Sequence, residues 1–415
     1  MRILWFTNTT SNYTIPLGYN GGGWISTLEY EIIKREGIEL GISFILNHQP
    51  QKVARGNVIY YPIPNKYAEG SLVHLQPIVS SFDKIDRKIV EDCLKVIDDF
   101  KPDLIHIFGV EGCFGLIAKE TNIPVLVHIQ GILHPIFNAF LPPFMSWQKY
   151  ISSFNLIKAI KRFSSYYRWK HNCHREKDIF HHVKHYCGRT EWDKKLSSLL
   201  SPQCSYYHVD EILRDVFYES ETYSPPKKLT IVSTISDMPY KGTDMILKTA
   251  KVLKESYFED FEWQVYGLDN ANDMESLTGI CASAVNVKLC GIATADTIKE
   301  KILAATVFAN LSYIDNSPNS LCEAQILGCP VVATNVGGKS SLLTDKEDGI
   351  LVPANDPYIA AATILEIFSH PEWAQTLGRN GSIRAKKRHD RTTITNRLID
   401  VYHQIISMST DELSR

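Results

Sequence analysis

No stretch of the chain reaches the run of about 18 apolar residues that a membrane-spanning helix needs, so an integral span is not expected. The opening MRILWFTNTTSNY turns polar after Phe6, too soon for a signal peptide. The nine cysteines are odd in number and contain neither a C-x-x-C pair nor a zinc-type spacing. Reduced thiols are therefore expected, in a cytoplasmic protein or one lying on the cytoplasmic face of a membrane. No G-x-G-x-x-G follows the first strand, which leaves a dinucleotide site without its fingerprint. A net charge of -2 gives no global pull toward nucleic acid. Internal repeats and low-complexity tracts are also missing.

What is present is enough apolar material, 44% of 415 residues, for two ordinary cores. RILWF, ISFIL (42–46), VIYYPI (58–63), DLIHIFG (103–109) and PVLVHIQG (124–131) are near-continuous apolar segments, and helical periodicity intervenes at Ile85, Ile89, Val90, Cys93, Leu94 and Ile97. Such strands separated by helices predict an α/β fold whose parallel sheet is covered on both faces. After the linker SETYSPPKK (220–228) the series resumes with LTIVSTI (229–235), EWQVYG (262–267) and VKLCG (287–291).

The most informative stretch is TVFANLSYIDNSPNSLCEAQILGCPVVATNVGG (306–338). It predicts a strand from Val307 to Ser312, a polar turn, a helix from about Ser320 to Leu327, a second strand and a Gly337-Gly338 turn. Ser317 is expected as the helix cap with Pro318 in the first turn. The amides of Asn319, Ser320 and Leu321 would then be free at the positive end of the helix, an anion site. Asp315 and Glu323 flank that turn. Glu323 could instead close an S-x-x-E capping box with Ser320.

An acidic residue, seven residues and then a glutamate, in a strand-turn-helix context, resembles the signature of the family 4 retaining glycosyltransferases of GT-B fold. The resemblance extends over essentially the whole chain and is most specific over 229–357. It implies two facing Rossmann-like domains, 1–222 and 223–385, with a segment 386–415 crossing back to the first. In that family the matching residues would make Glu323 the ribose ligand of a nucleotide-sugar and Asp315 a ligand of the transferred sugar. Gln130 falls where many members carry a histidine, and Glu111 is the other polar candidate at the strand ends of the first domain. Gly22 and Gly23 would lie over the donor's phosphates, Lys241-Gly242 would supply a phosphate-binding lysine, and Gly267, Gly291 and Ile292 would border the base. The usual arginine five residues before that lysine is replaced by Ser236, for which Arg189 is a candidate substitute. No D-x-D motif occurs, which suits a metal-independent enzyme with no cofactor beyond its nucleotide-diphosphate-sugar donor.

YCGRTEWD (186–193) and YYHVDEILRDVFY (206–218) resemble segments of polysaccharide-assembly members of that family. Physically they predict the last strand of the first domain, a capped helix and a connection, with Arg189, Trp192 and Arg214 in structural positions. The acceptor would be a hydroxyl of a glycan or lipid-linked saccharide.

Residues 134–185 carry an excess of cations: Lys149 through Lys184 include nine Lys or Arg against Glu176 and Asp178. Leu156, Ala159, Ile160, Phe163 and Tyr167 share a helix face, expected either to dock on the sheet or to lie against an anionic membrane. His171, His174, His181, His182 and His185 are expected to be surface residues and not a metal site. Two rivals remain open at this point, a nucleotide-sugar epimerase of the same fold and a catalytically silent nucleotide-sugar-binding partner.

Overall fold

The computed structural model describes residues 1–13, 23–47, 51–65, 82–153, 155–219, 223–256 and 260–413. The apolar segments of the first half become β1 (Arg2–Phe6), β2 (Glu39–Leu46), β3 (Val53–Arg55), β4 (Val58–Pro64), β5 (Leu104–Phe108), β6 (Val125–His128), β7 (His185–Gly188) and β8 (Ser205–His208). They form one sheet in the order β3-β4-β2-β1-β5-β6-β7-β8, parallel throughout except for the β3/β4 pair. β8 extends the sheet beyond β7 within a stretch expected to be a connection. It is four residues long with only Tyr207 buried, too short to show a strand period.

Helices α1 (Gly23–Ile32), α2 (Phe82–Phe100), α3 (Leu133–Asn138), α4 (Trp147–Ser152), α5 (Leu156–His182) and α6 (Glu191–Leu200) accompany this sheet. One face buries Trp5, Phe44 and Phe108 with Trp24 and Leu28 of α1. The other buries Phe6 and Ile107 with Ile97 and Phe100 of α2 and with Ile179 and Phe180 of α5.

The second domain repeats the plan with β9 (Thr230–Thr234), β10 (Glu262–Tyr266), β11 (Val287–Leu289), β12 (Val307–Asn310), β13 (Val331–Thr334) and β14 (Ile350–Val352). All are parallel, in the order β11-β10-β9-β12-β13-β14. Around it lie α7 (Thr243–Ser256), α8 (Asn272–Thr278), α9 (Ala295–Leu303), α10 (Asn319–Ile326), α11 (Lys339–Leu342), α12 (Pro357–Ser369) and α13 (Pro371–Arg388). The final helix α14 (Arg391–Leu413) returns to the first domain. Its Leu398, Val401, Tyr402 and Ile405 enter the core there, where Trp5 Nε1 donates to the Tyr402 hydroxyl at 3.0 Å.

Each sheet reverses its winding at a central strand, β1 between β2 and β5, and β9 between β10 and β12. The carboxyl ends of such strands are where parallel sheets leave a crevice for a ligand. A cleft of about 360 Å³ is lined from both domains at these ends, by Trp24, Glu111 and Gln130 on one side and Ser236, Lys241 and Asp315 on the other.

Candidate active site

The turn between β12 and α10 sets the cleft's chemistry. The helix is capped by Pro318 and not by Ser317. The Ser317 hydroxyl donates to buried Glu211 at 2.6 Å, and a side chain bonded there cannot reach back to the helix amides. Burial opposes ionisation of Glu211, but Arg189, then His389 and Arg388, bring its pKa down to about 2.

Two corrections follow. The Leu321 amide donates to the Pro318 carbonyl at 3.0 Å and its side chain is fully buried, so of the three amides expected to meet an anion only those of Asn319 and Ser320 remain candidates. Ser320 lies inside the helix, which removes the capping-box alternative for Glu323.

Asp315 precedes this turn and Lys241 reaches it from the loop after β9. The Tyr313 amide donates to the Tyr240 carbonyl at 2.8 Å, which holds the two loops side by side. Lys241 Nζ then meets Asp315 Oδ2 at 2.8 Å. Burial works against the ammonium charge of Lys241, yet Asp315 outweighs it and raises the pKa. Burial likewise opposes the carboxylate of Asp315, but Lys241 and Lys339 hold its pKa below the usual range.

Lys339 lies beneath the turn with no exposed surface, donating to the Asn310 carbonyl at 3.0 Å and to Thr334 Oγ1 at 2.8 Å. Gly337 makes this close stacking possible: its φ is +58°, and a Cβ there would sit 1.8 Å from the Asp315 carbonyl oxygen.

Glu323 points into the cleft and is held by an arginine that the spacing of the sequence does not reveal. Arg214 Nε and Nη2 donate to Oε1 and Oε2 of Glu323, both at 2.8 Å. This bidentate fork fixes the plane of the carboxylate. Burial nevertheless leaves the Glu323 pKa above its ordinary value despite Arg214. Between Glu211 and Asp215 in the sequence, Arg214 looks like one charge in a mixed surface run.

From the first domain, Arg189 Nη2 donates to the Gln130 carbonyl at 3.0 Å and its guanidinium lies 5.8 Å from the Trp24 ring. Asn316 ties the domains together: its side chain donates to the Gln130 carbonyl at 3.1 Å and accepts from the Thr190 hydroxyl at 2.7 Å. The side-chain amide nitrogen of Gln130, a residue that lines the cleft, is buried without a hydrogen-bond partner among the described residues.

Glu111 follows β5, and its carboxylate folds back over Gly109 (φ +96°), where a Cβ would lie 2.1 Å from Oε2. Burial, with Glu176 nearby, pushes the Glu111 carboxyl up to about 7. It is the cleft carboxyl of the first domain.

Lys241, Asp315, Glu323, Gln130, Gly23, Asn319 and Ser320 therefore line one cleft together with Glu111, Ser236, Arg189 and Arg214. Gly242, Gly267, Gly291, Ile292 and Leu321 do not line it. Gly242 packs against Leu311, the Gly267 amide donates to the Gly291 carbonyl at 2.7 Å, and Ile292 is exposed. Gly22 lies outside the described residues. Trp192 packs against the core of the first domain. Among the histidines, His171 pairs with Asp86 at 2.9 Å and His182 with Asp178 at 3.2 Å, each to a separate carboxylate.

The fold has solved counterparts. Sucrose-phosphate synthase from Thermosynechococcus elongatus superposes with a TM-score of 0.73 at 16% identity, covering 98% of this chain and 100% of that one. Anabaena HepE in complex with UDP and glucose gives 0.64 at 14% identity, covering 97% and 100%. With these neighbours the architecture is the GT-B fold. In sequence, the D-inositol 3-phosphate glycosyltransferase of Salinispora tropica is 26% identical over 185 residues, 42% of this chain and 38% of that protein. That of Saccharomonospora viridis is 33% identical over 104 residues, 25% and 24%. The chain thus matches well under half the length of these curated relatives. Residues 226–370, which carry Lys241, Asp315 and Glu323, match the family model of glycosyl transferases group 1.

Proposed function

We propose that the protein is a retaining, metal-independent glycosyltransferase of family 4 that moves a hexosyl-type unit from a nucleotide-diphosphate sugar to a hydroxyl of a glycan or lipid-linked acceptor. Its setting would be the cytoplasmic assembly of a capsular, exo- or O-antigen-type polysaccharide, at the membrane surface. The observation that carries this reading is the convergence of Lys241, Asp315, Glu323 and the free amides of Asn319 and Ser320 on one cleft between two Rossmann-like domains. The UDP, glucose and UDP-glucose bound by HepE support a donor of this class.

Departure of the diphosphate is the costly charge change, and preorganised donors are the means of stabilising it. Lys241 and the Asn319 and Ser320 amides would meet the phosphates. Arg214 and Arg189 supply the positive charge that Ser236 does not. Asp315 would take sugar hydroxyls and Glu323 the ribose. On the acceptor side, Glu111 and the unpartnered amide of Gln130 would orient the incoming hydroxyl, whose proton passes to the leaving phosphate on the same face. Closure of the domains around the pair would exclude water.

Thermal shift against UDP-, GDP-, dTDP- and ADP-sugars, with and without Mg²⁺, tests the donor site. A ligand at 100 times its Kd adds about 2.7 kcal/mol. A selective shift without Mg²⁺, absent in Glu323→Ala, is expected. Product formation is then followed with lipid-linked saccharides and with phosphorylated polyols, and Lys241→Ala should lower turnover by orders of magnitude in a folded protein. Absence of a shift with every donor would sink the transferase. Free epimerised sugar without an acceptor would replace it with the epimerase.

A further inference from the structure

The first half of helix α5 faces the wrong way for an ordinary helix of a domain. Its polar residues Arg162 and Ser164 are buried and its apolar stripe looks outward, whereas the second half buries Cys173, Ile179 and Phe180 beside Arg175 and Glu176. Leu156 is 76% exposed, Ile160 40%, Phe163 48% and Tyr167 44%, with Ile157 beside them at 67%. At about 100° per residue these four stripe positions fall within one narrow sector of the helix. Single exposed apolar residues need no explanation, but a row of large ones on one helix marks a contact surface.

The inversion is held in place. Lys158 Nζ meets Asp273 of α8 at 2.7 Å and Arg162 pairs with the same carboxylate. Arg175 Nη1 lies 3.0 Å from Asp86 Oδ2. The Leu133 and His134 amides both donate to Glu176.

The rim of the stripe has one sign. Lys161 and Arg168 follow it on one flank and Lys170 on the other, all exposed, with exposed Lys149 on the adjoining α4. No Asp or Glu occurs in the sequence between Glu120 and Glu176. An apolar stripe edged by cations complements an anionic lipid headgroup layer over an acyl region. A two-fold pairing of copies through the same stripe would set these cations against each other.

We propose that this face of α5, with Lys149, docks on an anionic lipid bilayer and presents the cleft to acceptors held there. An aromatic stack joins it to the cleft: Trp147 lies 4.9 Å from Tyr166 and 5.1 Å from Phe140, which lies 5.9 Å from the cleft residue Tyr240. Only the purpose of the docking rests on the lipid-linked acceptor reading.

Flotation of the full chain with vesicles of phosphatidylglycerol and phosphatidylcholine, and of phosphatidylcholine alone, is the test. Binding to the mixed vesicles only, weakening as salt is raised, is expected. Lys161→Ala/Arg168→Ala should bind about 30-fold more weakly. Leu156→Ser/Ile160→Ser/Phe163→Ser should lose at least about tenfold. These side chains are exposed, so the donor-induced thermal shift of each variant should equal that of the parent. That control separates failure of the docking from failure of the transferase. No binding by the parent, equal binding by the apolar variant, or self-association abolished by that variant in sedimentation would overturn the proposal.

Discussion

Lys339 is a full lysine side chain with no exposed surface. Burial brings its pKa from 10.5 down to about 7; Asp315 opposes the shift and Lys241 adds to it. Between about pH 7 and pH 10.5 the folded chain has released a proton that the unfolded chain still holds, so the unfolded state binds more protons and stability rises with pH across that window. In Lys339→Met that rise should vanish, read as urea midpoints over the same range.

Glu111 titrates at the opposite wall. If its carboxylate orients the acceptor, kcat/KM climbs as pH passes about 7. Glu111→Gln should retain a low, pH-flat rate, and an unchanged profile would remove the carboxylate from the reaction.

The fork between Arg214 and Glu323 gives a third residue-level expectation. Arg214→Met leaves a buried carboxylate uncompensated and should cost roughly 3–5 kcal/mol in denaturant unfolding. The double variant Arg214→Met/Glu323→Leu should recover most of that stability while donor binding stays lost.

At the scale of elements, the turn between β12 and α10 is rigid because it is clamped from below. Gly337→Ala pushes a methyl into the Asp315 carbonyl. The expected outcome is a folded protein, with normal far-UV circular dichroism, whose donor-induced thermal shift is reduced at least about tenfold in apparent affinity.

The elements differ in how far their sequence reveals them. β1, β9 and β12 were legible because each is a largely apolar run bounded by polar turn residues, and Lys241 and Asp315 lie in the loops that follow β9 and β12. The cap was misplaced by one residue because Ser317 has a better partner in Glu211, 106 positions away, which no local rule contains. Arg214 was expected only in a structural position for the same reason, since its cleft partner Glu323 is 109 positions distant. In α5 the periodicity located the apolar face but left its direction open. A largely buried ion pair to Asp86 and a half-exposed one to Asp273 decided it.

At the scale of the molecule, the cleft is closed over by contacts that belong to neither domain alone. Thr190 to Asn316, Asn316 to Gln130, Ser317 to Glu211 and Arg214 to Glu323 all run between the first domain or its connection and the central turn. The turn that carries Asp315 is thus also the one stitched across the gap, through Asn316 and Ser317.

The return of α14 has a further consequence, for the order in which the protein assembles. The second domain is contiguous from β9 to α13 and has a buried cluster of its own. The first domain is not: Trp5, Leu28 and Phe44 share a cluster with Leu398, Tyr402 and Ile405. On the ribosome, where domains ordinarily form in the order of their emergence, the half that is made first must wait with one face of its sheet covered by α1 but not yet by α14. It is completed only once α14 has emerged, behind the whole of the second domain.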